Sequence, residues 1–238
     1  LLRRTEREAS AGAELVSWSE TAGRVLKPDE PDLLARAGRH ARERRVYLAV
    51  AYGTFSPGAA RPLENRVALI DTAGTVAFIT DKVHPIVGPE SPMVAPGDRR
   101  LRFLDTPFGR LGVVVCHDLD FPELLRQAGA ARAALVIGPS DDWTAIISMH
   151  ANMALVRAVE QGFTLFRPTA GGRSLAVTPR GRTLAAVDAP RDAFVAILRP
   201  AARRTLYAAT GDLFAWGCVV GMVGAALLTV VGRVRRET

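Results

Sequence analysis

The chain has 238 residues, 48% of them hydrophobic, with a formal net charge of +7. That supplies enough apolar material for a packed core and excludes disorder as the default. The positive charges are spread along the chain with no aromatic residues interleaved as a stacking platform, so nucleic-acid binding is not expected.

In chain order, Leu1 to Ala11 reads as the end of a helix and Glu14 to Trp18 as a short strand. Glu20 follows that strand in Ser-Glu-Thr-Ala-Gly, where a carboxylate is either a solvated loop residue or an active-site acid. Pro31 to Arg44 is an amphipathic helix opened by Pro-Asp, and Val46 to Tyr52 is a strand. Asn65 to Asp71 and Thr75 to Asp81 flank Thr-Ala-Gly and read as a hairpin. Lys82 comes directly after it. Lys27 and Lys82 are the only lysines among 31 Lys+Arg residues, which hints that a compact ammonium is wanted at Lys82. His84 to Gly97 is an irregular loop with four prolines, carrying Glu90; long loops of this kind often bind or cover a ligand.

Leu101 to Leu104 and Leu111 to Cys116 form a second hairpin. The apolar run up to Val115 is a buried strand, and Pro122 opens a helix to Gly129. On that stretch alone Cys116 reads as a small core residue, as free cysteines usually are. Its place between a strand's end and a helix is also suited to a thiolate. Ala133 to Gly138 is an apolar strand and Ile146 to Gln161 a long helix. Trp143 and the Met149/Met153 face are expected in the core. Further strands are Phe163 to Arg167, Ser174 to Thr178, Thr183 to Val187 and Phe194 to Leu198. Interleaved helices and hairpins imply a layered α/β domain with mixed sheets.

Leu213 to Val231 is nineteen residues without a charge, nearly long enough as a helix for a bilayer core of roughly 30 Å. Arg233, Arg235 and Arg236 follow it, so a cytoplasmic C-terminus is expected, with the preceding domain on the opposite side. The expected organisation is a catalytic domain over 1–200, a linker over 201–212, a membrane helix over 213–231 and a basic cytoplasmic tail over 232–238. The chain does not begin with Met. Gly217, Gly221 and Ala225 form a face for close helix packing, so upstream membrane helices or a partner helix are expected. Cys218 lies in the expected span, which makes a disulfide with Cys116 unexpected. The four histidines, His40, His84, His117 and His150, show no ligand spacing, so no metal or other cofactor is expected. A Cys116–His117 dyad is discounted because adjacent strand residues point to opposite faces.

Glu20, Lys82 and Cys116 thus stand at three strand ends. A carboxylate can take a thiol's proton, and an ammonium can stabilise both a thiolate and the oxyanion formed on acyl transfer. Ser-Glu-Thr-Ala around Glu20, Asp-Lys-Val-His around Lys82 and Val-Cys-His-Asp-Leu-Asp-Phe-Pro-Glu around Cys116 resemble the nitrilase (carbon-nitrogen hydrolase) superfamily. Within it the apolipoprotein N-acyltransferase branch is similar, on the loop bearing Glu90, the run Tyr207 to Trp216 and the terminal apolar stretch. The resemblance implies a four-layer αββα sandwich with catalytic Glu20, Lys82 and Cys116. Glu90, His117 and Asp118 would support them, with the His117 N–H sharing the oxyanion. It also implies a phospholipid acyl donor, a lipoprotein acceptor and a bacterial inner-membrane location, the catalytic domain facing outward. A membrane-tethered amidase or nitrilase, and a degenerate binding member, are the alternatives. His117-Asp118 departs from the aromatic-acidic pair usual after the cysteine, and Ala170-Gly171-Gly172 replaces an Asn-containing turn.

Overall fold

The computed structural model describes residues 1–188 and 192–237, with side chains to residue 228 in the last helix. The helices are α1 (Leu2–Ser10), α2 (Glu30–Arg44), α3 (Pro122–Ala130), α4 (Ile147–Gln161), α5 (Leu206–Thr210) and α6 (Leu213–Glu237). The first-sheet strands are β1 (Leu15–Ser17), β2 (Gly23–Leu26), β3 (Tyr47–Phe55), β4 (Leu63–Ile70) and β5 (Val76–Asp81). Those of the second sheet are β6 (Phe103–Thr106), β7 (Gly109–Val113), β8 (Leu135–Ile137), β9 (Thr164–Arg167), β10 (Arg173–Val177) and β11 (Thr183–Asp188).

The first sheet is built on β3. It pairs antiparallel with β4, which pairs antiparallel with β5. On its other edge β1 and then β2 lie parallel to it in succession, Leu15 opposite Tyr47 and Gly23 opposite Tyr52. Glu20 occupies the loop between those two strands. The second sheet runs β11-β10-β9-β8-β7-β6. Its central strands β7, β8 and β9 are mutually parallel, because α3 and α4 supply the crossovers that parallel strands require. Their carboxyl ends therefore line up at one end of the sheet.

Both faces of the second sheet are buried, and the side-chain alternation of its strands divides the core. Val113, Val115, Leu135, Ile137 and Phe166 belong to an apolar cluster shared with Leu48, Val50 and Leu69 of the first sheet. Val114, Val136 and Leu165 belong to a second cluster with Leu124, Leu125 and Ala128 of α3 and Ala154 and Ala158 of α4. Ala37 and Ala41 of α2 join the first cluster, and α1 packs on α2 and β1. The layers run helix, sheet, sheet, helix, as expected.

Two readings of the sequence are corrected. Phe194 to Leu198 is not a strand: Phe194, Ala196 and Leu198 pack on the core at alternating positions, but no ladder forms. β7 ends at Val113, and Cys116 opens a 3-10 turn, Cys116–Asp120, so the strand argument against a Cys116–His117 dyad does not apply. The expected membrane helix is not established by the structure: among the described residues no helix is long and apolar enough to cross a membrane. The side chains of 229–237, which include the end of the uncharged run and the tail arginines, lie outside the described residues, as does residue 238.

Ile137 is fully buried on β8, the middle of the three parallel strands of the second sheet. Ile137→Ala is expected to destabilise the fold by about 2–5 kcal/mol in denaturant unfolding, because packed strands on both sides prevent collapse into the cavity.

Candidate active site

Glu20 lies just beyond β1, Lys82 just beyond β5 and Cys116 just beyond β7. The paired sheets bring these three ends together. The Lys82 side chain is fully buried, its Nζ 2.9 Å from Glu20 Oε1 and 2.7 Å from the Glu90 carboxylate. Asn65 Nδ2 donates to the same Glu20 oxygen at 2.7 Å, which fixes the carboxylate. Glu90 also accepts the Ile86 N–H at 2.8 Å, tying the proline-rich loop to the ammonium. Burial works against the Lys82 charge, but Glu20, the thiolate form of Cys116 and Glu90 outweigh it and hold Lys82 well above the ordinary lysine range.

Cys116 is 2% exposed and has a φ of +46°, a left-handed conformation that non-glycine residues rarely adopt. Its N–H donates to Pro139 O at 2.9 Å and its Sγ lies 3.9 Å from Asp141 O. Burial pushes the thiol well above its usual value and the Glu20 carboxylate raises it further; Lys82 and the Asp141 backbone pull the other way. Burial thus favours the neutral thiol over the thiolate, and a base beside the sulfur would assist its attack.

Asp118 is an architectural clamp. Its buried carboxylate accepts the N–H groups of Val83, His84 and Val115, and the His84 ring lies 3.1 Å away. It binds the cysteine turn to the segment that follows Lys82. His117 points elsewhere, its Nδ1 2.9 Å from His84 O and its ring edge-on to Phe121.

A second buried ionic group was not legible in the sequence. His150 Nδ1 lies 2.7 Å from Asp142 Oδ1, and Arg167 Nη2 lies 2.6 Å from the same oxygen. His150 Nε2 faces Asp120 Oδ1 at 3.4 Å. Burial would raise the Asp142 pKa, but the hydrogen bonds from His150 and Arg167 hold it below the usual range. A Cβ on Gly172 would collide with Asp142, so the Ala170-Gly171-Gly172 turn is what lets this cluster close. The one available signal was position: Asp142 and Arg167 lie at or past the carboxyl ends of β8 and β9, beside the β7 end that carries Cys116.

Donor atoms of Cys116, Asp142 and His150 lie within 4.8 Å of one another, so three potential metal ligands do converge despite their uninformative spacing. The buried Arg167 guanidinium already neutralises Asp142, and a metal cation there would meet that fixed charge.

A cleft of about 230 Å³ leads to the site, lined by Glu20, Asn65, Glu90 and Asp141 and by apolar Leu63, Pro89, Met93, Val94 and Trp143. Trp143 and Met149 are 52% and 57% exposed, which corrects the expectation that they are core. Trp143 stands at the cleft instead.

Residues 4–201 match the model of the carbon-nitrogen hydrolase family. The chain belongs to the carbon-nitrogen hydrolase family. Two relatives are the apolipoprotein N-acyltransferases of Geobacter metallireducens and Gloeobacter violaceus. The first is 28% identical over 253 residues, 96% of this chain and 48% of its own length. The second is 32% identical over 234 residues, 90% of this chain and 44% of its own length. The chain thus spans about half the length of these relatives. An amidase from Nesterenkonia sp. shares the fold at a TM-score of 0.69 and 24% identity, over 79% of this chain and 78% of that one. A mutant of that amidase, with the acetamide moiety of fluoroacetamide added covalently at its active-site cysteine, matches at a TM-score of 0.66 and 25% identity, with the same coverage.

Two outcomes follow from the geometry. Lys82→Met leaves Glu20 and Glu90 without their buried counter-ion and is expected to destabilise the fold by about 3–5 kcal/mol in chemical denaturation. In a Cys218→Ser background, Glu20→Gln removes a charge that raises the Cys116 pKa, so the pH midpoint of iodoacetamide alkylation is expected to fall. A midpoint that stays or rises contradicts the assigned electrostatics.

Proposed function

We propose that the chain is the catalytic part of an N-acyltransferase that moves a fatty acyl group from a phospholipid to the α-amine of a lipid-modified N-terminal cysteine. The single observation that carries this reading is the convergence of Glu20, Lys82 and a strained Cys116 in one buried pocket. The names of the relatives support the acyl-transfer chemistry.

In the first half-reaction Glu20 takes the Cys116 proton as the sulfur attacks the ester carbonyl. Lys82 stabilises the oxyanion, joined by the N–H of His117, which lies in the first turn of its helix where N–H groups lack helical partners. The C–O bond breaks, and Glu20 returns the proton to the departing lysophospholipid oxygen. In the second half-reaction the acceptor amine attacks the thioester and Glu20 takes its proton; the C–S bond breaks, and Glu20 hands that proton to the departing sulfur, which regenerates the thiol and the carboxylate. Glu90 positions Lys82, and Asp118 holds the cysteine turn against the segment after Lys82.

A bilayer setting is part of the proposal. We assign α6 as the membrane helix, with the catalytic domain outside the bacterial inner membrane and the C-terminus in the cytoplasm. The described side chains of α6 support this, because Phe214, Trp216, Val220 and Leu228 are 67–84% exposed and apolar. A helix apolar on all sides requires lipid or protein around it. Trp143 and Met93 at the cleft suit an acyl chain better than a small amide.

The structural likeness to an amidase supports a second reading, in which water resolves the thioester. Incubation with a phospholipid labelled in its acyl chain separates the two. The expected result is a label trapped on Cys116 that is absent in Cys116→Ala and leaves only when a lipidated N-terminal peptide is supplied. Release as free fatty acid without acceptor supports the hydrolase, and label retained by Cys116→Ala overturns the nucleophile assignment. Glu20→Gln is expected to slow acyl-enzyme formation by about 10²–10⁴-fold.

A further inference from the structure

Away from the active site, a groove of about 570 Å³ lies beside the root of α6. Its lining includes Val159 and Glu160 of α4, Arg180 in the β10–β11 turn, and Arg203, Arg204 and Tyr207 ahead of α6. Nothing in the proposed reaction uses it.

The groove has a fixed floor and free charges. The Arg203 N–H donates to Gly162 O at 2.7 Å, and a Cβ at Gly162, whose φ is +75°, would collide with the Arg203 carbonyl. Thr205 caps α5 by accepting the Ala208 N–H at 3.0 Å and donates to Glu160 O. Tyr207 donates to Asp212 Oδ1 at 2.9 Å, linking the wall to the residue just before α6. Glu160, the only acid in the lining, is paired with Arg157. Among the described residues the side chains of Arg180, Arg203 and Arg204 have neither a hydrogen bond nor an ion pair, and all three are exposed. Three unpaired guanidiniums therefore surround a rigid concavity whose own carboxylate is neutralised.

We propose that this groove binds the phosphodiester headgroup of an anionic phospholipid, in the leaflet on which the catalytic domain rests. Planar guanidiniums match phosphate oxygens in geometry and charge; basic pockets at the cytoplasmic side of membrane helices take acidic headgroups, and the same chemistry would serve in the opposite leaflet. The occupant is a lipid and not free phosphate because the groove adjoins a helix with exposed apolar side chains. An acyl tail can lie along α6 while the headgroup sits among the arginines, and Tyr207 stands where interfacial aromatics are favoured. The site would set the height and tilt of the catalytic domain over the bilayer. The inference rests on α6 as the membrane helix.

The test uses the full chain in phosphatidylcholine vesicles carrying trace spin-labelled phosphatidylglycerol or phosphatidylcholine. Resistance of the protein to alkaline extraction checks α6 separately, and loss of the chain on extraction overturns the membrane helix and this inference together. With the chain retained, electron paramagnetic resonance is expected to show phosphatidylglycerol preferred at the protein surface. Arg180→Gln/Arg203→Gln/Arg204→Gln is expected to lower that preference by at least about fivefold, given the strength of a basic residue at a charged surface. Arg3→Gln/Arg39→Gln/Arg61→Gln, with the same change in net charge, is expected to retain it. Equal loss in both variants, no preference in the parent, or displacement of the labelled lipid by an equal concentration of inorganic phosphate overturns the groove as a headgroup site.

Discussion

An ammonium buried without solvent contact is the constraint around which the site is arranged. Removing such a charge from water costs several kcal/mol unless opposite charges and hydrogen bonds replace the hydration. Lys82 therefore needs Glu20 and Glu90 together, each of which is held in turn. Asn65 on β4 fixes Glu20, and the Ile86 N–H ties Glu90 to its loop. One buried charge thus couples the β1–β2 loop, the β4–β5 hairpin and the proline-rich segment. The Asp118 clamp extends that coupling to the cysteine turn on the other sheet. The pocket is preorganised because its parts cannot move independently without stranding a charge.

The second sheet provides a matching arrangement. Parallel β7, β8 and β9 deliver Cys116, Asp142 and Arg167 to one end, and His150 reaches them from α4. The sulfur thus lies between two buried ionic groups, one centred on a lysine and one on an arginine. On the proposed mechanism the first acts on the reacting atoms and the second stiffens the wall behind them. The left-handed backbone at Cys116 is tolerated because its N–H, the Asp118 carboxylate and the neighbouring strand together determine the turn.

Seen with this site, the surface has a consistent polarity. Trp143 and Met93 give the cleft an apolar side, α6 carries exposed apolar groups, and free arginines ring the groove at its root. A reaction between two lipids needs its catalyst held at a fixed height over the bilayer, and these features would supply that hold. A small-amide hydrolase has no use for them, which is why acyl transfer is the preferred reading.

Much of the chain could be read from residue order alone. Apolar patterning together with helix-opening prolines and turn residues located α2, α3, α4 and the hairpins, and the residues after three strands marked Glu20, Lys82 and Cys116. β2 was missed because Gly23 to Leu26 has only four residues and gains its identity by pairing with β3. Phe194 to Leu198 alternates like a strand yet forms no ladder, since alternation reports burial on one side and not a partner. Trp143 was placed inside on hydrophobicity, although only the third dimension reveals whether anything covers a side chain. The roles of Asp142, His150 and Arg167 were invisible because they depend on which strands lie side by side. Local pattern by itself located most elements to within a few residues and marked the reactive residues that stand near their ends. Sheet order and the packing of one sheet on the other decided which ends meet, because distance between remote residues is set by pairing that no short stretch of chain encodes.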